Sequence, residues 1–387
     1  MVIRNRDAQA AVGLSCHSTS SASKRNLAVA IQGDGQDGWG RRRPVLAELA
    51  CPFPSAISPY ADDVQGGTIR WLQQMGLITG REATRRAAAG RFGRLAARTH
   101  PHASREMLQI IADWYAWLFF RDDRCDEGVI GTNPSRLHHE NSGLLDIMAG
   151  NRGAEQDEPL DMAFSDLCHR LRLTSHGTMW WRRFVRRCQE YFDATVWEAE
   201  NRVRGLPPDL ETYLRMRPLT SGVSIDIEFI GLTESTSLSS EIRRRSAIRQ
   251  LIQASNNVVC WANDILSLEK EVRHGDVHNL VVAIEHEYQL SRSVAQRRAV
   301  EMHNAEVAEF CRLAHCLPTV PPGVEAKLIP FIAILGGRMR GNLDWSQETG
   351  RYGSHTVITE ERVYFAPGQP KSTRHRWQWD DPTVCIS

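Results

Sequence analysis

Nowhere in the 387 residues is there a run of about 18 consecutive apolar side chains, the length a helix needs to cross a bilayer. The beginning of the chain also lacks the uninterrupted apolar core of a secretory signal. A protein of the cytoplasm, with no membrane partner, is therefore expected. Net charge is nearly absent too: 47 Lys and Arg stand against 46 Asp and Glu, a balance of +1. That removes the global electrostatic argument for nucleic acid or an anionic surface as partner, so any anion must be met by a local cluster. The nine cysteines are odd in number and scattered, with no CxxC and no Cys/His grouping at zinc spacing, which points to reduced structural thiols. Cys385 stands one residue too near the end for prenylation, and no lipid anchor is expected.

What is present is helical. Apolar residues make up 42% of the chain, enough for a sizeable core. Residues 1–43, rich in Ser, Gly, Gln and Arg, are predicted to be a disordered extension. From about residue 60 onward apolar side chains recur at three and four, with Gly and Pro mainly between segments and no convincing strand. The pattern predicts an all-α bundle with helices over 60–77, 81–97, 103–122, 134–149, 159–173, 177–204, 208–220, 223–232, 239–272, 277–287, 290–316 and 323–343. Two stretches, Met107 to Phe120 and Val258 to Leu268, are apolar on nearly every face and should be central helices.

Both central helices run into polar clusters. The first, Phe119-Phe120-Arg121-Asp122-Asp123-Arg124-Cys125-Asp126-Glu127, puts Asp122 and Asp126 four apart on one helical face, where their carboxylates can share hard divalent cations. An Asp-Asp pair alone says little, as Asp62-Asp63 illustrates; here the acids follow a fully apolar helix and so would face the mouth of a buried cavity. In the second, Asn263, Ser267 and Glu271 lie at i, i+4 and i+8 and offer an amide, a hydroxyl and a carboxylate oxygen from one stripe. An all-oxygen set suits Mg²⁺. A solvated amphipathic helix is the alternative, but Val258, Val259, Trp261, Ile265 and Leu266 make this one too apolar for the surface.

These two clusters resemble the DDxxD motif and the NDxxSxxxE triad of class I terpene synthases of the bacterial and fungal type, in the same order and with Asp122 and Asn263 about as far apart in sequence as in that family. Pro52-Phe53-Pro54, Trp71-Leu72 with Gly76-Leu77, and Gly275-Asp276-Val277-His278-Asn279-Leu280-Val281 extend the likeness. So does Arg351-Tyr352, which follows Glu271 at the interval of the family's own Arg-Tyr pair. The resemblance implies a single α domain over 44–355 around an apolar active-site cavity, followed by an irregular tail over 356–387. It implies metal binding by Asp122, Asp123, Asp126, Asn263, Ser267 and Glu271, with three Mg²⁺ ions. Pro218 and Gly222 would break a helix within Tyr213–Gly222, and by resemblance Arg217 is a diphosphate sensor, Thr220 the linker and the Ser221 carbonyl the effector. Arg351 and Tyr352, on a segment expected to close over the site, bind diphosphate, and Lys270 joins them.

Ionising an allylic diphosphate demands charge stabilisation on phosphate oxygens and a dry aromatic pocket that does not quench the cation. Candidates for that pocket are Trp114, Trp117, Phe119, Phe120, Phe229 and Trp345, with Trp345 the first choice. The expected activity is cyclisation of farnesyl diphosphate to a sesquiterpene, with geranylgeranyl diphosphate as the alternative substrate. A chain-elongating prenyltransferase would carry two Asp-rich motifs, whereas this chain has one; a helical binding protein without catalysis would have no need of two complete metal motifs. A homodimer is common among proteins of this type.

Overall fold

The computed structural model describes residues 48–153, 158–174, 177–233, 238–317 and 322–352, the side chains of Asp126 and Glu127 excepted. The expected N-terminal extension and C-terminal tail lie outside the described residues. Fourteen α-helices and no strand occur among the described residues. In chain order they are α1 Ala61–Gln74, α2 Gly80–Gly90, α3 Phe92–Thr99, α4 Arg105–Glu127, α5 Pro134–Ala149, α6 Pro159–Thr174, α7 Thr178–Arg204, α8 Leu210–Thr220, α9 Val223–Thr233, α10 Ser240–Arg243, α11 Ser246–His274, α12 Leu280–Tyr288, α13 Arg292–His315 and α14 Pro322–Glu348, closed by a 3₁₀ turn Gly350–Tyr352.

Start and stop signals act locally as their chemistry dictates. Ser104 caps α4 by accepting from the Met107 N–H at 3.2 Å, and Asn279 caps α12 by accepting from the Val281 N–H at 2.8 Å. Several of the expected boundaries move. The helix expected over 81–97 is two, α2 and α3, parted at Arg91, whose φ of 51° is left-handed. The helix expected over 239–272 is interrupted between α10 and α11. The first acidic cluster was expected at a helix end, but α4 continues through Glu127, so Asp122 and Asp123 lie in its last turns.

α4 and α11 are the central pair, and their buried faces organise the core. Trp114 and Trp117 of α4 pack with Phe164, Phe184 and Phe229, ring centroids 4.6–6.0 Å apart. α11 packs on α13 and α14 through Leu251, Val258, Phe310 and Leu335. α14 crosses α3 so closely that a Cβ on Gly341 would collide with the Arg98 carbonyl oxygen, which fixes glycine there. Of the seven cysteines among the described residues, five are buried. No described helix is long and apolar enough to cross a membrane.

Candidate active site

α4 carries its two acids into a cleft between the ends of α11 and α14. Asp123 accepts two parallel bonds from Arg351, Nη1 to Oδ2 at 3.0 Å and Nη2 to Oδ1 at 2.7 Å, and a third from Lys270 Nζ at 3.0 Å. Burial raises the Asp123 carboxyl, but those cations outweigh it and hold it below the usual range. Asp122 has no such partner. Burial, with Asp123 and Glu198 nearby, pushes it up to about 6.

On α11, Ser267 Oγ lies 2.6 Å from both the Asn263 carbonyl oxygen and Glu271 Oε1. Glu271 Oε2 accepts from Asn279 Nδ2 at 2.8 Å, and the same amide donates to the Asp264 carbonyl oxygen at 2.7 Å. Burial, then the charge of Asp264, pushes Glu271 up to about 8. One cleft is lined by Asp122, Asn263, Ser267, Lys270, Glu271, Arg351 and Tyr352 together. The residues named from the sequence as metal and diphosphate ligands thus meet in space, save Asp126, whose side chain lies outside the described residues. Among the described residues no three His, Cys, Asp or Glu side chains form a metal-binding group by themselves; an amide and a hydroxyl complete the set here. Hard oxygen donors and two carboxyls raised by burial and by neighbouring acids fit a divalent cation, which would offset that excess negative charge.

The break between α8 and α9 comes from Pro218 inside α8 and from Gly222, whose φ is +70°. It delivers Arg217 to the adjoining cavity, within reach of Asn263, which lines both that cavity and the cleft. Arg217 donates to Asp264 Oδ1 through Nε at 2.8 Å and to Asn263 Oδ1 through Nη2 at 2.9 Å. Asp264, fully buried, also accepts from the Tyr213 hydroxyl and from the Leu280 N–H at 3.2 Å. Sequence reading missed this acid. Its signal was present, since a carboxylate amid the apolar residues of α11 requires a buried cation. Thr220 is buried with its hydroxyl donating to the Arg217 carbonyl at 3.3 Å, and the Ser221 hydroxyl sits 3.2 Å from the Cys260 sulfur.

Behind the cleft lies a cavity of about 840 Å³, counted to its open mouth. Leu95, Leu118, Phe119, Val223, Val259 and Trp345 form its apolar wall, and Asp122, Arg217, Thr220, Ser221 and Asn263 stand at its polar side. Of the six aromatic candidates for its lining, four do not reach it. Trp114, Trp117 and Phe229 belong to the aromatic core, the Trp117 indole donating to the Leu160 carbonyl at 3.0 Å, and Phe120 packs edge-on against Phe92. On a helix buried all round, sequence position does not say which face meets the cavity. Phe119 and Trp345 do line it, their rings 5.5 Å apart. Trp345 is held by its indole N–H, which donates to the Gly90 and Arg91 carbonyls at 3.0 and 3.1 Å, groups freed by the α2–α3 break. The Arg351 guanidinium lies 4.5 Å over the Phe119 ring, Tyr352 packs edge-on to Trp345, and the Tyr352 hydroxyl accepts from Asn263 Nδ2 at 2.6 Å.

A second feature that the sequence did not disclose is polar. Asp226 accepts from the Arg338 guanidinium and the Tyr115 hydroxyl and lies 2.9 Å from His100 Nε2; Asp226, Arg338 and Tyr115 all line the cavity. Burial raises this carboxyl, but Arg338 and His100 outweigh it and hold Asp226 well below the usual carboxylate range.

Residues 113–309 match the family model described as terpene synthase family 2, C-terminal metal binding. The chain is 42% identical over 308 residues to a (+)-T-muurolol synthase of Roseiflexus castenholzii that cyclises (2E,6E)-farnesyl diphosphate; the alignment covers 79% of this chain and 93% of that protein. It is 35% identical over 324 residues to pristinol synthase of Streptomyces pristinaespiralis, covering 79% and 84%. Among solved structures, the linalool/nerolidol synthase of Streptomyces clavuligerus shares the fold with a TM-score of 0.69 at 24% identity, over 77% of this chain and 99% of that one.

Proposed function

The chain belongs to the terpene synthase family and is a terpene cyclase that uses a divalent metal; from that premise we propose that it ionises farnesyl diphosphate with three Mg²⁺ ions and closes the cation to a sesquiterpene. The observation that carries this reading is the shared cleft of Asp122, Asn263, Ser267 and Glu271 with Lys270, Arg351 and Tyr352, opening onto a cavity walled by Phe119 and Trp345. The relatives named above, one of them a cyclase of farnesyl diphosphate, support the choice of substrate.

In this reading Asp122, Asp123, Asp126, Asn263, Ser267 and Glu271 would hold the metal ions, which would supply positive charge to the diphosphate oxygens of the leaving group. Arg217, Lys270, Arg351 and Tyr352 donate hydrogen bonds to the same oxygens, so negative charge grows where donors are already fixed. Arg351 must then exchange the Asp123 carboxylate for phosphate, a trade between two anions that its planar fork can grip equally well. Arg217 reports diphosphate binding to the break it sits on, Thr220 transmits the shift, and the Ser221 carbonyl acts on the allylic carbon. Phe119 and Trp345 present ring faces that stabilise a cation without attacking it, while the aliphatic wall excludes water.

The test is incubation with Mg²⁺ and the geranyl, farnesyl, geranylgeranyl or geranylfarnesyl diphosphate, with products identified by gas chromatography and mass spectrometry. A cyclic C15 product from farnesyl diphosphate alone is expected. Turnover only when isopentenyl diphosphate is added, or no diphosphate release from any of the four, would refute the proposal.

A further inference from the structure

A second cavity, about 1580 Å³ to its open mouth, lies among α7, α8, α9, α10 and α11, and its lining contains eight arginines against one carboxylate. The carboxylate, Glu228, is fully buried. Arg183 Nε and Arg243 Nη1 donate to it at 3.0 and 2.8 Å, and Arg187 approaches to 4.0 Å while also bonding Glu190 at 2.6 Å. One carboxylate cannot satisfy three guanidinium groups. Arg243 Nε and Nη2 and Arg187 Nε are buried without a hydrogen-bond partner. Burial, and then the repulsion of Arg183 and Arg187, outweigh Glu228 and lower the pKa of Arg243. Around the rim stand Arg182, Arg186, Arg215, Arg244 and Arg249, all exposed.

A chain with a net charge of +1 has no general surplus of cations to scatter, so this concentration is local and costs repulsion. Arginine forks match phosphate oxygens in pairs, and a concave wall with several such forks favours an anion carrying more than one phosphate over a single small ion. The floor is apolar: Pro218, Leu219 and Ile227. This floor includes Pro218 of the same helix break that carries Arg217, Thr220 and Ser221. Asn256, which lines the basic cavity, accepts from Arg338 Nη1 at 3.1 Å, and Arg338 lines the catalytic cavity.

We propose that this arginine-lined cavity is a second binding site for a diphosphate group, separate from the catalytic cleft. The group has two sources in the reaction, the inorganic leaving group and the headgroup of an isoprenoid diphosphate. The experiment is calorimetric titration of the full chain with inorganic diphosphate, in chelator and about 0.15 M salt, on an Arg217→Ala/Arg351→Ala background that weakens the catalytic cleft. Saturable one-site binding is expected, at least tenfold tighter than for orthophosphate or sulfate. Adding Arg182→Ala, Arg244→Ala and Arg249→Ala, all on exposed positions, should weaken it at least tenfold with melting temperature unchanged. Slowed amide exchange over 240–250 on adding diphosphate reads the same event without the triple variant. Farnesyl thiolodiphosphate separates the sources: equal affinity assigns the site to the leaving group, and tenfold tighter binding adds the chain on the Pro218 floor. Absent saturation, or binding that the triple variant and the exchange pattern leave unmoved, overturns the proposal. None of these readouts depends on turnover, so their failure would leave the cyclase reading intact.

Discussion

Arg351 and Asp123, 228 residues apart in sequence, are joined by two parallel hydrogen bonds of 3.0 and 2.7 Å, with the guanidinium lying over Phe119. The pair holds the end of the described chain against the last turns of α4. In the proposed mechanism a cation and an anion that both serve the same substrate are thus stored on each other.

Replacing Arg351 by Ala should lower kcat/KM by about 10²–10³, the cost of removing one fixed donor to developing charge. Arg351→Lys should recover only part of this, because an ammonium cannot reproduce the fork. Steady-state kinetics with farnesyl diphosphate decide the matter. Unchanged turnover in the Ala variant would remove Arg351 from the site.

Metal affinity should follow the two raised carboxyls. Asp122 at about 6 and Glu271 at about 8 must both lose their protons to bind a dication, so binding competes with protons below those values. Apparent Mg²⁺ affinity, measured by titration between pH 6 and 9, should tighten as pH rises and level off above about 8. A profile flat from pH 6 to 9 would contradict the assignment of Glu271.

The Asp226–Arg338 pair should be worth more to stability than any surface ion pair. Asp226→Asn leaves Arg338 buried without its counter-ion, at a cost of about 3–5 kcal/mol at pH 7, whereas removing both charges with Asp226→Leu/Arg338→Met should cost less. Because the folded carboxyl is held below its ordinary value, its contribution is complete above about pH 4, the unfolded value, and shrinks as pH falls below it. Urea denaturation of wild type and Asp226→Asn at pH 7 and pH 3 would show the gap narrow; an equal gap at both would disprove the linkage.

Spacing carried the all-α class and the two polar clusters, because a helix converts intervals of four into one face without help from the rest of the fold; the Arg351-Tyr352 pair was legible only through the family resemblance. The break at Pro218 and Gly222 was equally legible, since both residues act on their own backbone. Tertiary structure decided the rest. The middle of α4 is buried on nearly every side, so only packing could assign Phe119 to the cavity, Trp114 and Trp117 to the core, and Phe120 to its contact with Phe92. The α2–α3 break at Arg91 is a left-handed arginine, a conformation that its residue type does not announce, and the carbonyls beside it hold Trp345. Asp264 with Arg217, Asp226 with Arg338, and the arginines around Glu228 are partnerships between distant helices. A carboxylate's need for a cation is written in its sequence, but which cation answers it depends on how the helices cross.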